Sequence, residues 1–304
     1  MKAVSPRPSS LVTGNKLGLG IVLTIIGGVC WGFSGTCAQL LFSDYGFDPR
    51  LVVCTRSSLA GVIFMVLSLA IDRKRLVACV TNPRSMLKVF VFAVFGVTLC
   101  QVCYLFAIQA SDAGTATVLQ SLNLLIILAV VCVRLKRRPT KKETLGIVLA
   151  IVGTFLVATH GSFTQLAMTP EALGWGLACA VSCALYTLLP GSLLVEYGSV
   201  VVTGLAMVFG GVSSTLVFQP WNIPASLDAR GLLLVAAIVI VGTVLSYLCF
   251  LNGVKLCGSM LAGLLGCAEP LTACLLSGVW LGTSFAPVDL VGMGMIVLMM
   301  LLVT

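Results

Sequence analysis

The sequence predicts an all-α membrane protein, with ten transmembrane helices arranged as two inverted five-helix repeats. Three observations predict it. The composition is too apolar for a water-facing globule, ten apolar runs approach the length of a bilayer span, and the chain matches itself without a gap at a displacement of 146 residues.

Of the 304 residues, 59% are apolar and 9% are charged. A soluble domain carries roughly 25% charged residues because its surface meets water. A soluble enzyme and a disordered scaffold are therefore excluded as readings. The net charge of +8 would suit a polyanion, but the basic residues fall in short runs between apolar stretches, such as Arg73-Lys74-Arg75 and Arg134 to Lys142. No basic patch is interleaved with base-stacking aromatics, so no nucleic-acid partner is expected. The 13 cysteines are scattered through the apolar runs, which reads as buried free thiols and not as a disulfide framework.

A helix needs roughly 20 apolar residues to cross about 30 Å of hydrocarbon. Residues 1–16, with Lys2, Arg7 and Lys16, read as a cytoplasmic tail. Their charges resemble a signal-peptide n-region, but the run that follows is too long and lacks a small-x-small cleavage site, so Leu17–Leu41 is taken as an uncleaved first span. Asp48-Pro49 punctuates the entry to the second span, Leu51–Ile71, and Asn82-Pro83 the entry to the third, Lys88–Ala110. The fourth is Gly114–Val133, ended by the basic run that contains Pro139. Leu145–Thr159 is the fifth and completes a first repeat of residues 17–160. After a linker over 161–172 with Pro170, the second repeat (173–304) holds Leu173–Leu194, Ser199–Phe218, Gly231–Asn252, Ser259–Leu281 and Val288–Thr304, with Pro220 and Pro224 between its second and third members. The fifth and tenth spans are short, so they should stand nearly upright or thin the bilayer.

Basic residues orient the bundle. With the N-terminus inside, 15 Lys and Arg fall on inner segments and only Arg50 and Arg230 on outer loops. That bias places both termini in the cytoplasm of a multi-pass inner- or plasma-membrane protein. Fourteen of the 15 belong to the first half, so the second half is oriented by counting spans.

Sliding the chain by 146 residues lays Gly96–Ala158 onto Gly242–Thr304, with matches that include Gly96/Gly242, Cys103/Cys249, Ala116/Ala262 and Gly146/Gly292. Spans three to five thus match spans eight to ten. Five is odd, so the second half enters the membrane from the opposite side. Inverted halves around a midplane site are an architecture of secondary transporters, in which one half rocks against the other.

Trp31-Gly32 in span one, Arg56 in Arg56-Ser57-Ser58-Leu59-Ala60 of span two, Glu269-Pro270 in span nine, and the glycines opening each last span, Gly146 and Gly292, give the chain a resemblance to the EamA-like transporters of the drug/metabolite transporter superfamily. The resemblance covers roughly residues 15 to 304. It implies ten helices in two inverted repeats and transport of small metabolites, often export of amino acids or related compounds. The first half has Asn123-Leu124 where the second has Glu269-Pro270, whereas the family often keeps a proline in both; the two halves are expected to be unequal at the site.

Glu269 lies near the middle of span nine. A carboxylate at that depth is costly, so it should face a cavity or be protonated, which would suit proton coupling. Pro270 frees a backbone carbonyl one turn back, a second polar group at the same depth. A structural Glu at a helix break is the alternative. Asn123 is the repeat partner of Glu269, Gln120 lies one turn earlier, Gln101 and Tyr104 share a face of span three, and Tyr247 is the repeat mate of Gln101. These read as cavity lining or as interhelical hydrogen-bond glue. Trp31 and Tyr186 are placed to wall the cavity. Arg56 either contacts a substrate anion or snorkels to the outer interface. The small-residue series Gly258, Ala262, Gly266, Pro270 and the pair Gly28 and Gly32 allow close helix approach.

Two other motifs carry competing readings. Gly32-Phe33-Ser34-Gly35 resembles the serine motif of rhomboid proteases, and His160 is the sole histidine, but catalysis needs the two in hydrogen-bond contact. Cys100-x-x-Cys103 has redox spacing inside an apolar helix, where packing is the plainer reading. No HExxH, phosphate loop or metal-ligand spacing is present, so no cofactor or metal is expected and no ATP-driven pump. The expectation is a carrier and not an enzyme. It should export a small metabolite, such as an amino acid or a relative, by alternating access with proton coupling, in lipid, as a monomer or homodimer. Uptake, or export of drugs and other organic compounds, is the alternative within transport; an intramembrane serine hydrolase using Ser34 and His160 is the alternative from another class.

Overall fold

The computed structural model describes residues 14–160, 162, 168–257, 261–262 and 265–303. The tail charges Lys2 and Arg7, half of the linker, and Gly258 lie outside the described residues. Every described element is helical: α1 (Gly14–Tyr45), α2 (Pro49–Ile71), α3 (Arg73–Val80), α4 (Pro83–Ala110), α5 (Ala113–Arg134), α6 (Lys141–Thr159), α7 (Pro170–Leu188), α8 (Gly191–Tyr197), α9 (Ser199–Phe218), α10 (Ala229–Cys257), α11 (Ala268–Val279) and α12 (Pro287–Val303). Eight of these are long and apolar enough to cross a membrane; α11 and α12 are shorter apolar helices.

Several boundaries differ from the expected ones for local reasons. The Asx-Pro pairs are N-caps and not mere breaks. The Asp48 carboxylate accepts from Arg50 N at 2.8 Å, and the Asn82 side chain from Arg84 N at 3.1 Å, so α4 starts five residues before Lys88. Both caps sit directly before a proline at the first helical position, where no N–H is needed. The expected sixth span, Leu173–Leu194, ends at Leu188, because Pro190 opens a separate short helix, α8. The fourth span breaks at Ser121-Leu122 and the ninth at Gly266-Cys267. Two short helices, α3 and α8, were not expected at all; they lie together, and α8 also meets the start of α4, where Ser85 Oγ is 3.0 Å from Tyr197 OH. At another end, Tyr45 OH donates to Asp228 at 2.7 Å and Arg230 pairs with Asp44 at 3.2 Å.

The repeat is visible in the elements themselves. Displaced by 146 residues, Pro83 falls on Ala229 and Lys141 on Pro287, each a helix start. Both α4 and α10 contain a π-helical segment, at Phe92–Thr98 and Ile240–Leu245, which hold Gly96 and Gly242 respectively. The packing is symmetric under exchange of the halves. Mates lie against each other (α2 on α9, α5 on α11, α6 on α12), while α1 packs on the last part of α10 just as α7 packs on the last part of α4. Small residues set these approaches. A Cβ on Gly211 would fall 3.0 Å from Ser58 N, one on Gly61 3.0 Å from Val208 N, and one on Gly204 3.1 Å from Phe64 Cβ. Low numbers on α2 therefore meet high numbers on α9, and the two mates run antiparallel. Gly153 and Gly292 make the equivalent close crossing of α6 and α12.

Candidate functional site

The site is built where the broken helices meet the π-helical segments. Glu269 stands in the first turn of α11, two residues after the Gly266-Cys267 break. A carboxylate there complements the positive end of the helix. Its N–H donates to the Gly266 carbonyl at 3.1 Å, so the carbonyl expected to be freed by Pro270 is taken up by the turn itself. The backbone packs on α1: a Cβ on Gly28 would meet Ala268 and Glu269 N, and one on Gly32 would meet Glu269 O and Thr272. The Glu269 side chain is half-buried. Gln120, at the break of α5, is within its hydrogen-bonding reach, and Arg56 is within electrostatic reach. Glu269 makes no ion pair among the described residues.

Arg56 does not snorkel. It is buried on α2, where Nε donates to Thr243 Oγ1 at 2.7 Å and Nη2 to the Gly242 carbonyl at 3.2 Å. Both acceptors belong to the π-helical segment of α10, whose irregular turn leaves backbone acceptors open. Thr243 in turn donates to the Ile238 carbonyl at 2.9 Å, so its lone pairs face the guanidinium. Two of the five guanidinium N–H groups are used in these bonds.

Tyr104 is buried, with its hydroxyl 2.9 Å from Thr117 Oγ1; the space for it is left by Gly35 of α1. Gln120 accepts from Cys179 Sγ at 3.3 Å, and Asn123 donates to Cys183 Sγ at 2.7 Å. Both cysteines are on α7, as is Tyr186. Opposite them, Trp31 packs edge-on to Tyr247 with ring centroids 5.3 Å apart, and Tyr186 meets Tyr247 at 6.5 Å. Trp31, Gln120, Asn123, Tyr186 and Glu269 all keep some accessible surface despite this crowding. Gln101 behaves differently. It accepts from Ser57 at 3.2 Å and donates to Met207 Sδ at 3.6 Å, at the junction of α2, α4 and α9.

Thr243, Thr117, Cys179 and Cys183 complete the polar shell and were missed, because each partners a residue far off in sequence or looks like packing by type. Gln39 was missed as well: it accepts from Ala113 N and Ser277 Oγ and donates to Thr283, tying α1 to the start of α5 and the end of α11. Ser34 and His160 are not brought together. Ser34 packs on Gly242, whereas His160 ends α6 with Nδ1 3.0 Å from Asp289 Oδ1. Cys100 and Cys103 are free thiols, and the described residues hold no cluster of three or more metal-ligating side chains. Outside the spans, the Arg50 side chain holds Asp48 below the usual carboxylate range, and the Gly231 N–H and Tyr45 hydroxyl do the same for Asp228.

Comparison with known proteins adds a family. The sequence model of the EamA-like transporter family matches residues 18–159 and, a second time, residues 171–304. The "Uncharacterized inner membrane transporter YicL" of Salmonella typhimurium is 33% identical over 273 residues, 90% of this chain and 91% of its own. An "Uncharacterized transporter" of Archaeoglobus fulgidus is 26% identical over 270 residues, covering 82% and 90%. A solved crystal structure superposes with a TM-score of 0.65 at 19% identity, covering 94% of this chain and 96% of that one, a likeness of fold.

Proposed function

The chain belongs to the EamA-like transporter family, and from that premise we propose that it is a secondary carrier that exports a small metabolite, an amino acid or a relative, by alternating access. In this reading ten helices cross the cell membrane as two inverted repeats, α11 and α12 completing the second, and both termini face the cytoplasm. Residues 17–160 and 173–304 act as the two rocking units.

One observation carries the reading: polar and aromatic side chains from both halves converge where two helix breaks and a π-helical segment meet. Trp31, Tyr104, Gln120 and Asn123 come from the first half; Tyr186, Tyr247 and Glu269 come from the second. Irregular backbone inside a membrane bundle is tolerated where it lines a cavity, and π segments concentrate at functional sites. Antiparallel mates such as α2 and α9 support a site that one half can open to either side as it rocks. Glu269, without an ion-pair partner, is the coupling group in this scheme. A proton on it neutralises a charge that is costly to carry across the membrane.

The test is counterflow in proteoliposomes preloaded with one amino acid at a time, comparing wild type with Glu269→Gln over a range of pH. Overshoot in the wild type, with loss of its pH dependence in the variant, is the expected result. Unchanged pH dependence in Glu269→Gln would remove the coupling role. Absence of exchange for every amino acid would turn the substrate class toward drugs and other organic compounds.

A further inference from the structure

Among the described residues, the centre of the bundle holds one fixed cation, Arg56, and one carboxylate, Glu269, and the fold keeps them near each other but apart. Arg56 is anchored to Thr243 and Gly242. Ser34 of α1 packs at that same Gly242, while Glu269 packs at Gly28 and Gly32 of the same helix. The two charged groups are thus attached at levels of α1 that differ by two to six residues, or about 3–9 Å at 1.5 Å per residue. They do not form an ion pair among the described residues, although Glu269 lies within electrostatic reach of Arg56. Direct contact would be the low-energy outcome for opposite charges in a low-dielectric interior if the backbone allowed it. Here three of the five Arg56 donors remain outside its two anchoring bonds. Repeat symmetry does not generate this pair, since the position matching Arg56 is Val202 and that matching Glu269 is Asn123.

We infer that Arg56 and Glu269 are the two ends of a clamp for a zwitterion: Arg56 takes the carboxylate of an α-amino acid, Glu269 its ammonium group, and the Trp31, Tyr186 and Tyr247 rings its apolar side chain. The inference rests on the carrier reading and narrows its substrate class. A zwitterion bridges both charges and adds no net charge to the site. An amine or an acid alone satisfies one end and leaves the other uncompensated, which is costly in this setting. The aromatic rings suit an apolar side chain.

The test uses L-phenylalanine as probe, with 2-phenylethylamine and 3-phenylpropionate as the same molecule lacking one charge. In counterflow of labelled L-phenylalanine by the full-length protein, unlabelled L-phenylalanine should compete at least about tenfold better than either analogue. In Glu269→Gln the advantage over 3-phenylpropionate should disappear while that over 2-phenylethylamine stays; in Arg56→Gln the reverse should hold. Arg56→Lys, which keeps the charge, should retain discrimination against the amine, and it guards against loss of fold in Arg56→Gln. Equal competition by all three compounds in the wild type, or discrimination unchanged in both neutral variants, would overturn the clamp. Exchange of a singly charged metabolite without exchange of L-phenylalanine or L-leucine would overturn it and leave the carrier standing. No exchange of any solute in a broad panel would overturn both.

Discussion

Asn123 opens the second part of α5, and Glu269 stands in the first turn of α11, at equivalent points of two mated helices that both break in mid-course. The backbones agree to within a residue, but the side chains do different work. Asn123 is tied to Cys183 on α7 at 2.7 Å, a neutral bond between helices. Glu269 has Gln120 as a neighbour and Arg56 within electrostatic reach. Duplication supplies two breaks and two helix N-termini; the charge is used once. A second carboxylate beside the first would raise the cost of ionising either. The comparison teaches that the repeat doubles the scaffold of this molecule, while its central charges depart from that symmetry.

The strongest way to break that comparison is to move the charge. The double variant Asn123→Asp/Glu269→Asn keeps one carboxylate at the paired breaks but takes it away from Arg56 and puts it beside Cys183. Exchange should fall by about ten- to a hundredfold, since roughly 1.4 kcal/mol accounts for each tenfold and a charged hydrogen bond is worth about 1.5–3 kcal/mol. Initial counterflow rates in proteoliposomes measure it. Activity near the wild type would mean that the two breaks are interchangeable and that the asymmetry carries no chemistry.

How far the sequence already revealed this depends on the range of the signal. The apolar runs, the repeat and the basic loops are local or periodic, so the helical bundle and its two halves were legible. The Asn123/Glu269 inequality was legible as well, because the repeat register aligns them. The fate of Arg56 was not. Its acceptors, Thr243 and Gly242, lie 187 and 186 residues away, and nothing local distinguishes a buried arginine from one that reaches the interface. The same holds for Gln101, whose partners Ser57 and Met207 are on other helices. The breaks at Ser121-Leu122 and Gly266-Cys267 were hidden inside continuous apolar runs, where composition carries no information about hydrogen bonding.

A second prediction sharpens the scaffold side. Gly211→Ala puts a methyl group 3.0 Å from Ser58 N, and Gly153→Ala puts one 2.7 Å from the Gly292 carbonyl. Neither neighbour can yield, because both are backbone, and overpacking costs about 1–3 kcal/mol. Gly174→Ala, with nothing within 4 Å of the new methyl, should be neutral within about 0.5 kcal/mol. Thermal unfolding in detergent compares the three. A Gly174 variant as damaging as the other two would mean that the mate crossings do not hold the halves together.

Tyr104→Phe removes the hydroxyl bond to Thr117, which stitches α4 to α5 within one half. Measured interhelical hydrogen bonds in membranes average about 0.6 kcal/mol, so stability should fall by about that amount. If Tyr104 also touches substrate, the apparent affinity in counterflow should shift more than the unfolding temperature does. Equal small effects on both would assign Tyr104 to the scaffold.

The last expected effect, close in size to that of Tyr104→Phe, lies at the rim, at the cap of α2. The Asp48 carboxylate accepts from Arg50 N and pairs with the Arg50 side chain at 2.5 Å, and that side-chain bond holds its pKa below the ordinary value. A depressed folded-state pKa means that the stabilisation is fully present above the unfolded value near 3.9 and is lost as pH falls through the folded one. Asp48→Ala should therefore cost roughly 0.5–1 kcal/mol at neutral pH, the low end for a cap because solvent screens the ion pair. The difference from wild type should vanish in acid, once the wild-type carboxyl is protonated too. The pH profile separates a cap from a gate. A cap leaves substrate selectivity untouched at every pH, whereas a charge that guards the entrance would change the competition between charged and neutral substrates while Asp48 is ionised.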